Sequence, residues 1–337
     1  MARDGLTVAV TGPTGDLGLA VVSALERSRR VKRIVGLARR PFDPAEEGWR
    51  KTEYRQGDVR DPGSVRETVK GADVVVHLAF AIIGEGDLAY EINVDGSRHV
   101  FQAAIEAGAE RICYASSVAA YGFHSDNPEW LTEENLPRGT REHYYSQQKA
   151  EVEGTLAHLL LRTTRTHAYV FRPCIVAGPR AHALLEEMPY LRLSENLPDA
   201  VTRVLESVPA LKPVIPDPGI RFQFVHEDDV ASAFLAGTVG SGAPGPYNLA
   251  GQGTATMSDV ARALGWYAVP VPDLAVEATA EMLSRIPSLP EAFAWIHTVR
   301  RPVLMRTDRA RAELDWRPEH TTKQTLRQLV AAHRSAT

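Results

Sequence analysis

Residues 11–18 have the sequence Thr11-Gly12-Pro13-Thr14-Gly15-Asp16-Leu17-Gly18 and lie between a β-branched segment and a helical pattern. One glycine in such a stretch permits a tight turn, a second lets the backbone approach a pyrophosphate, and a third lets helix and strand pack closely. The N-terminus of the following helix presents free N–H groups and a partial positive charge. The stretch therefore predicts a strand–loop–helix unit that binds phosphate groups through Gly12, Thr14, Gly15, Asp16, Leu17 and Gly18.

The remainder of the first half alternates short apolar strands with longer helical patterns. Residues 74–76 and 111–115 lack polar alternation, which is typical of interior strands that are covered on both faces. A long helical pattern over about 143–162 precedes a sixth strand at 168–172. This order predicts an α/β fold with a Rossmann-type doubly wound parallel sheet.

Beyond residue 177 the alternation of strands and helices stops. Residues 178–220 contain seven prolines and irregular apolar positions, which predicts a substrate lobe. We expect the chain to return to the main domain over about 221–245 and then to form a last lobe. The predicted domains are a dinucleotide-binding Rossmann domain over 1–177, completed by 221–245, and a smaller, interwoven C-terminal substrate lobe over 178–220 and 246–337.

The composition argues against several classes of function. The chain has 38 lysines and arginines, 42 acidic residues, a net charge of -4 and no long basic stretch, so neither nucleic acid nor a membrane surface is an expected partner. Cys113 and Cys174 lie in apolar segments, which predicts buried thiols and no metal site. The N-terminus lacks the apolar core of a signal peptide, and His77 interrupts the longest apolar stretch, so we expect a cytoplasmic, untethered protein.

The end of the predicted second strand bears on the choice of dinucleotide. An acidic residue there would bind the adenosine ribose hydroxyls and favour NAD. The strand ends instead in Ala38-Arg39-Arg40, and a guanidinium can bind a 2′-phosphate in a fork and stack on adenine. NADP is therefore the preferred cofactor, held by Arg39 and Arg40. The alternative is that both arginines begin a solvated loop and that the cofactor is NAD.

Tyr145 and Lys149 are four residues apart on the predicted helix, so both side chains project from one face. An unperturbed tyrosine titrates near pH ~10, roughly three units too high for ready proton exchange at neutrality. A neighbouring ammonium stabilises the phenolate and lowers the pKa of the phenol. The pair therefore predicts a proton-transferring tyrosine assisted by a lysine. Tyr144 has no lysine at the fourth following residue and is not expected to act.

These motifs belong to an ordered series that spans nearly the whole chain. The chain resembles the extended short-chain dehydrogenases/reductases, the NAD-dependent epimerase/dehydratase family, whose phosphate loop has the pattern TGxxGxxG. The resemblance continues through Gly57-Asp58-Val59, His77-Leu78-Ala79, Asn93-Val94-Asp95-Gly96, Ser116-Ser117 ahead of Tyr121-Gly122, Tyr145 to Lys149, Arg172-Pro173, and Leu314-Asp315-Trp316-Arg317-Pro318.

The resemblance implies contacts with the cofactor. Asp58 and Val59 would meet the adenine, and Lys149 would hold the nicotinamide ribose. The diphosphate and ribose would be lined by Leu78, Ala79 and Phe80. The other cofactor-binding positions of the family fall on Asn93, Tyr145, Pro173 and Ile175.

The resemblance also implies a serine that hydrogen-bonds the reacting oxygen. Ser117 matches it, because Ser117 stands four residues before Tyr121, and Ser116 is the weaker candidate. The family's structural positions at a strand end or a helix start account for three histidines without a catalytic role: His77, His143 and His226. Relatives often dimerise through the helices around 93–107 and 143–161, so the resemblance implies a homodimer.

Many relatives act on nucleotide-linked sugars, but this sequence departs at two positions that commonly hold the diphosphate. Cys174 follows Arg172-Pro173 where an asparagine is frequent, and it is a poor hydrogen-bonding substitute. Phe222 stands where the family has an arginine. Arg221 is one residue away and would point to the opposite face of a strand. The residues that could compensate are Arg180 and Arg192.

The lobe between Pro179 and Pro218 favours an apolar or aromatic carbonyl substrate. Its apolar residues are Leu184, Leu185, Met188, Tyr190, Leu191, Leu193, Leu197 and Leu211. The alternative is that these residues form a hydrophobic core.

The expected function is an NAD(P)-dependent oxidoreductase that transfers hydride to or from the carbonyl or alcohol carbon of a small apolar or aromatic molecule. Such an enzyme resembles the dihydroflavonol-reductase and hydroxysteroid-dehydrogenase branches. The alternative is a nucleotide-sugar epimerase or dehydratase that recycles NAD internally. A non-catalytic NADP-sensing regulator is a third interpretation, and the presence of Ser117, Tyr145 and Lys149 argues against it.

Overall fold

The structure is a computed structural model that describes residues 5–82, 87–181, 213–271 and 302–336. The strands are β1 (Leu6–Thr11), β2 (Val31–Ala38), β3 (Thr52–Gln56), β4 (Val74–His77), β5 (Arg111–Ala115), β6 (Trp130–Leu131), β7 (His167–Pro173), β8 (Ile175–Ala177), β9 (Val214–Asp217), β10 (Phe224–His226), β11 (Gly245–Leu249), β12 (Tyr267–Pro270) and β13 (Leu304–Met305).

The helices lie between these strands. They are α1 (Asp16–Arg27), α2 (Pro62–Val69), α3 (Asp87–Tyr90), α4 (Gly96–Glu106), α5 (Tyr144–Leu160), α6 (Glu227–Val239), α7 (Met257–Leu264), α8 (Asp308–Glu313) and α9 (Thr322–Ala336). A π-helical turn, Glu91–Asp95, joins α3 to α4, and a 3-10 turn, Val118–Tyr121, follows β5.

A seven-stranded parallel sheet forms the centre, in the order β11-β7-β5-β4-β1-β2-β3. The chain moves outward from β1 to β3 and then returns to β4 on the other side of β1. In open α/β sheets, ligands bind at the carboxyl ends of strands where the order reverses in this way. The predicted Rossmann-type sheet is confirmed, and its reversal point lies between β1 and β4.

Helices cover both faces of the sheet because successive side chains of its buried strands point to opposite faces. Val8 and Val10 pack in one apolar cluster with residues of α1 and α6. Ala9, between them, packs in a second cluster with residues of α2, α4 and α5. All three side chains are fully buried. The absence of polar alternation in the interior strands follows from this two-sided burial.

The segment predicted to begin the last lobe at residue 246 belongs in part to the central sheet. Gly245–Leu249 forms β11, which pairs in parallel with β7. Tyr247 and Leu249 are fully buried and contribute to the cluster on the α1 side. Pro246 is tolerated because β11 is an edge strand, where one missing N–H donor breaks no ladder. The sequence prediction placed this boundary too early because a five-residue strand with a proline gives a weak signal.

A third apolar cluster gathers residues from both sides of the predicted lobe boundary. It contains Ile215 of β9, Phe224 of β10, Val260 of α7 and Leu329 of α9. Strand β10 pairs with β8 in a separate two-stranded sheet, so Phe224–His226 does not join the central sheet as its position in the predicted main domain suggested. The following helix, α6, does return and packs with α1.

Two sequence predictions lie outside the described residues. The apolar lobe residues from Leu184 to Leu211 fall there, and so does Arg192. Among the residues that are described, no helix has the length and apolar character needed to cross a lipid bilayer.

Candidate active site

The glycine loop occupies the carboxyl end of β1, at the reversal of strand order. Gly12 has φ +74, and a Cβ there would lie 2.8 Å from the backbone nitrogen of Ala79. A Cβ on Gly18 would lie 2.1 Å from the carbonyl oxygen of Gly12. The protein's own packing therefore requires glycine at these two positions.

Gly15 is a glycine for a different reason. Its φ is -83, which any residue adopts, and it precedes α1 without a side-chain cap. A Cβ there would meet only the carbonyl oxygen of Gly12, at 3.9 Å. The open space lies at an exposed helix N-terminus flanked by Thr14 and Asp16. It fits a diphosphate that approaches the backbone closely, so the loop residues fit a dinucleotide.

The buried side chain of His77 is hydrogen-bonded to Thr11, at the end of β1, and to Ser97, on α4. Thr11 Oγ1 and His77 Nδ1 are 2.6 Å apart, and His77 Nε2 and Ser97 Oγ are 2.8 Å apart. Ser97 donates its own proton to the carbonyl oxygen of Asn93, so its oxygen accepts from Nε2 and the neutral ring accepts from Thr11 at Nδ1. Burial, with a contribution from Lys149, lowers the pKa of His77 to about 3. His77 is a structural residue that ties β1, β4 and α4 together, in accord with the sequence interpretation.

Asn93 lies in the π-helical turn and organises the loop after β4. Its side-chain oxygen accepts from the N–H of Ala81 at 2.7 Å, and its side-chain nitrogen donates to the carbonyl oxygen of Ala81 at 2.9 Å. The same nitrogen donates to Gln148 Oε1 at 2.8 Å. Because Gln148 precedes Lys149, Asn93 links this loop to α5.

The predicted catalytic residues come together at the carboxyl end of β5. Ser117 precedes the 3-10 turn after β5, where its hydroxyl oxygen accepts from the N–H of Ala119 at 3.1 Å. The same hydroxyl lies close enough to the phenol of Tyr145 on α5 to lower the pKa of that phenol. Lys149 lies one helical turn further along α5 and donates from Nζ to the carbonyl oxygen of Ala115 at 2.6 Å. The ammonium is 5.6 Å from the ring centroid of Tyr145. Ser117, Tyr145 and Lys149 therefore form one cluster.

The protonation properties of this cluster differ from the sequence expectation. Burial raises the pKa of Tyr145, and the nearby hydroxyl of Ser117 offsets this only in part. Burial also lowers the pKa of Lys149 to about 7, although the charge of Glu153 acts in the opposite direction. Lys149 donates to Ala115 and lies beside the face of the Tyr145 ring. Desolvation therefore outweighs the expected lowering of the phenol pKa by the ammonium.

A buried ion pair lies behind Lys149 and was not predicted. Glu153 is one further helical turn along α5, and its carboxylate accepts from Arg172 Nε at 2.9 Å and Nη2 at 2.5 Å. Arg172 Nη1 also donates to the hydroxyl of Tyr121 at 2.9 Å, and Ser116 donates to Glu153. A signal for Glu153 existed, because a carboxylate four residues after Lys149 lies on the same helical face. Ser116 serves this pair, which leaves Ser117 as the serine of the cluster.

The residues expected at the adenosine end divide into two groups. Arg39 and Arg40 follow β2 and are exposed, while Asp58 is partly buried and pairs with Arg60 at 2.8 Å. Burial raises the pKa of Asp58, but the hydrogen bonds and charge of Arg60 outweigh it and the net pKa is lowered. Val59 is 6% exposed and packs in the core.

The remaining predicted cofactor positions lie along the same edge of the sheet. Leu78, Ala79 and Phe80 follow β4 and are half-buried. Pro173 ends β7 and is buried, while Ile175 begins β8 and is half-buried. Together with the glycine loop, they line the carboxyl ends of three strands.

The structure describes Cys174, which departs from the nucleotide-sugar pattern, and the two arginines Arg221 and Arg180. Cys174 is 6% exposed, and burial raises the pKa of its thiol. Arg221 pairs with Glu129 at 2.5 Å. Arg180, a candidate to compensate, pairs with the buried carboxylate of Glu227 at 2.9 Å. Both arginines therefore already have carboxylate partners.

The parallel sheet, the glycine loop at its reversal point and the serine–tyrosine–lysine cluster define a dinucleotide-binding α/β protein. The chain matches the profile of the NAD dependent epimerase/dehydratase family over residues 8–250. It belongs to that family.

Individual relatives agree with this assignment at the level of the fold. The chain is similar to a short-chain dehydrogenase/reductase superfamily protein from Agrobacterium tumefaciens with bound NAD, at 21% identity and a TM-score of 0.71 over 98% of each chain. It is equally similar to the UDP-glucose 4-epimerase of Thermotoga maritima with UDP-glucose, at 19% identity and a TM-score of 0.71, over 98% of this chain and 99% of that one.

A relative of higher identity is similar over a shorter stretch. Sterol demethylase protein B of Methylococcus capsulatus is 35% identical over 134 residues, which is 39% of this chain and 39% of that protein. The aligned part thus spans less than half of either protein.

Proposed function

We propose that this protein is an NAD(P)-dependent oxidoreductase that reduces a carbonyl carbon or oxidises the corresponding alcohol. The observation that carries the proposal is the placing of Ser117 beside the phenol of Tyr145, with Lys149 on the next turn of α5. This cluster lies on the same sheet edge as a glycine loop with room for a diphosphate. A reacting oxygen placed between the two hydroxyl groups would be polarised by Ser117 and would exchange a proton with Tyr145.

The chain's own residues handle the proton. Burial raises the pKa of Tyr145, so its phenol is protonated at neutral pH and suits a proton donor to a carbonyl oxygen. Ser117 accepts or donates a hydrogen bond as charge develops on that oxygen. A bound nicotinamide supplies or accepts the hydride. Lys149, hydrogen-bonded to Ala115, is placed to hold the ribose and to stabilise the phenolate left after proton transfer.

We propose an apolar or aromatic substrate. Around Tyr145 the described residues form a chain of aromatic contacts, with Phe80 at 5.5 Å and His143 at 6.3 Å, and Phe123 at 5.4 Å from His143. Arg221 and Arg180 each pair with a carboxylate, so a diphosphate bound by either arginine would have to displace that partner. The partial similarity to sterol demethylase protein B supports a hydrophobic polycyclic substrate.

We propose NADP as the preferred cofactor and NAD as the alternative. Arg39 and Arg40 are exposed at the end of β2, where a 2′-phosphate would need a cation. The carboxylate of Asp58 already pairs with Arg60. The solved relative from Agrobacterium tumefaciens carries NAD. Dissociation constants for NADPH and NADH decide between them, and tighter or equal binding of NADH contradicts the preference.

The second candidate function is a nucleotide-sugar epimerase or dehydratase. The similarity to the UDP-glucose 4-epimerase of Thermotoga maritima favours it, since that similarity covers 98% of the chain. The two functions differ in cofactor turnover, because an epimerase regenerates NAD within each cycle whereas a reductase consumes its reduced cofactor. A regulator without catalysis is disfavoured by the assembled Ser117–Tyr145–Lys149 cluster.

The experiment that tests the proposal is a thermal-shift panel with NADPH present, comparing hydrophobic ketones with uridine and thymidine diphosphate sugars. Stabilising ketones are then assayed for stoichiometric loss of NADPH absorbance. Tyr145→Phe is expected to lower turnover by about 10²- to 10⁴-fold with NADPH affinity nearly intact. Selective stabilisation by a nucleotide sugar reverses the ranking of the two functions, and unchanged turnover in the variant removes Tyr145 from the reaction.

We also propose a homodimer through the outer faces of α4 and α5. The groove between these helices is lined by Arg98, Gln102, Thr155, His158 and Arg162. Light scattering coupled to gel filtration gives the mass directly. A monomer at micromolar concentration contradicts the proposal.

A further inference from the structure

Phe80 touches both members of the tyrosine–lysine pair. Its ring centroid is 3.5 Å from Lys149 Nζ. The same ring meets the ring of Tyr145 edge-on, with centroids 5.5 Å apart and an interplanar angle of 84°. A cation lying over an aromatic face is attracted by its negative quadrupole, and an edge-to-face ring pair has a defined orientation.

The backbone beside Phe80 is tied to α5. Both polar groups of the Ala81 backbone are hydrogen-bonded to the side chain of Asn93. Asn93 in turn donates to Gln148, the residue before Lys149. The position of the Phe80 ring over the ammonium is therefore built into the loop, because the loop and the helix share these hydrogen bonds.

Within the described part of the chain, the Lys149 ammonium has few polar partners, so its contact with the Phe80 ring contributes to its stabilisation. Lys149 is 2% exposed, so water contributes little to its solvation. An ammonium has three N–H donors, of which one is given to the carbonyl oxygen of Ala115. Among the described residues, the face of Phe80 is the closest aromatic surface, and the ring of Tyr114 on β5 is further away at 5.2 Å. Cation–π attraction is strongest at such desolvated sites.

The charged and titratable neighbours of Lys149 offer limited compensation. Glu153 on α5 favours the ammonium, but its carboxylate is shared with Arg172 of β7. His77 of β4 is buried and neutral, because its pKa is lowered to about 3. Tyr145 and Tyr114 carry no charge at neutral pH, since burial raises the pKa of both phenols. The charge of Glu153 is partly neutralised by Arg172, so the aromatic face of Phe80 adds to a weakened stabilisation of the Lys149 ammonium.

We propose that Phe80 is a positioning residue of the active site, whose ring face favours the charged form of Lys149 and whose edge-to-face contact fixes the ring of Tyr145. This inference rests on the proposed oxidoreductase function, since the tyrosine–lysine pair is its object. It predicts that the aromatic face, and not only the volume, is required at position 80.

The test is an NMR titration of the lysine ¹³Cε signals in the full-length protein. The chain has six lysines, so the spectrum is simple, and Lys149→Arg identifies the signal of Lys149. Phe80→Leu keeps the exclusion of water but removes the aromatic face. The titration midpoint of Lys149 is expected to fall by about one pH unit in this variant, roughly a tenfold loss of affinity for the proton. Phe80→Tyr, which keeps the face, is expected to restore the midpoint.

Two further variants separate the electronic effect from packing. Pentafluorophenylalanine at position 80 keeps the size of the ring but reverses its quadrupole, so the midpoint is expected to fall even where the leucine variant folds poorly. Phe123→Leu makes the same leucine substitution at a ring that contacts His143, 5.4 Å away, and is expected to leave the midpoint of Lys149 unchanged. Equal midpoints in the wild type and the pentafluoro protein overturn the proposal.

The consequence for the reaction is measured on the working enzyme. With Lys149 less charged, the phenolate of Tyr145 is less stable, so the pH at which alcohol oxidation reaches half its maximum is expected to rise in Phe80→Leu and to return in Phe80→Tyr. An unchanged profile in Phe80→Leu overturns the positioning role. The NMR arm needs no substrate, so a failure of the proposed function, seen as full turnover in Tyr145→Phe, is distinguished from a failure of this inference.

Discussion

Glu153 and Arg172 form a buried, bidentate ion pair between α5 and β7, with N···O distances of 2.9 and 2.5 Å. The side chains are 7% and 4% exposed. Burial lowers the pKa of Arg172, but the hydrogen bonds and charge of Glu153 outweigh it, so the net pKa is raised. The guanidinium is therefore permanently charged, and Glu153 is the carboxylate that is hydrogen-bonded to it.

Glu153→Gln is expected to destabilise the fold by about 3–5 kcal/mol, because it leaves the buried charge of Arg172 uncompensated. Urea unfolding measures the change. Glu151→Gln is the matched control on the same helix, since Glu151 accepts one exposed hydrogen bond from the hydroxyl of Tyr90. The loss of unfolding free energy in this control is expected to stay within about 0.5 kcal/mol. Equal losses in the two variants contradict the role assigned to the ion pair.

Gly15→Ala and Gly18→Ala are expected to fail in different ways. A Cβ on Gly15 meets nothing within 3.9 Å, whereas a Cβ on Gly18 lies 2.1 Å from backbone. The first variant is expected to keep its melting temperature and to bind NADPH at least tenfold more weakly, because the methyl group occupies the diphosphate position. The second is expected to lose stability, by about 1–3 kcal/mol or more. Calorimetry and cofactor titration on both proteins separate the effects; tight NADPH binding by Gly15→Ala is the contrary result.

Arg39→Asp is expected to move the cofactor preference toward NADH by at least tenfold in the ratio of dissociation constants. The carboxylate would repel a 2′-phosphate and accept from the ribose hydroxyls. Arg30→Asp makes the same charge change at an exposed residue before the other end of β2, and its ratio is expected to match the wild type. If both variants shift the ratio equally, net charge and not a local contact governs the preference.

Lys149→Met is expected to inactivate the enzyme and to stabilise its fold at low pH. Burial lowers the pKa of Lys149 to about 7, so between pH ~7 and ~10 the unfolded chain binds more protons than the folded one and wild-type stability rises with pH. The variant lacks the buried charge, so its melting temperature is expected to exceed the wild type most below pH 7. This difference is expected to shrink toward pH ~10. Thermal unfolding across this range, with the exposed Lys70→Met as control, measures it; a constant difference contradicts the low pKa.

Much of the fold was predictable because its signals are local. The β-branched runs predicted the interior strands, and the helical pattern over 143–162 corresponds to α5, Tyr144–Leu160. Strand β11 was missed because its identity depends on β7, about 75 residues earlier in the chain. A short strand with a proline gains its stability from that pairing and from the burial of Tyr247, and neither is visible in its own sequence.

For the active site, the sequence by itself determined that Tyr145, Lys149 and Glu153 share one face of a helix, since a spacing of four residues fixes their direction. Only the tertiary structure decided what that face meets. Three strands of the sheet bring partners to this helix: Ser117, after β5, lies beside Tyr145; Phe80, after β4, lies beside Lys149; and Arg172, in β7, pairs with Glu153. It also decided that burial, and not the neighbouring ammonium, controls the pKa of the phenol, because desolvation depends on the whole surrounding core.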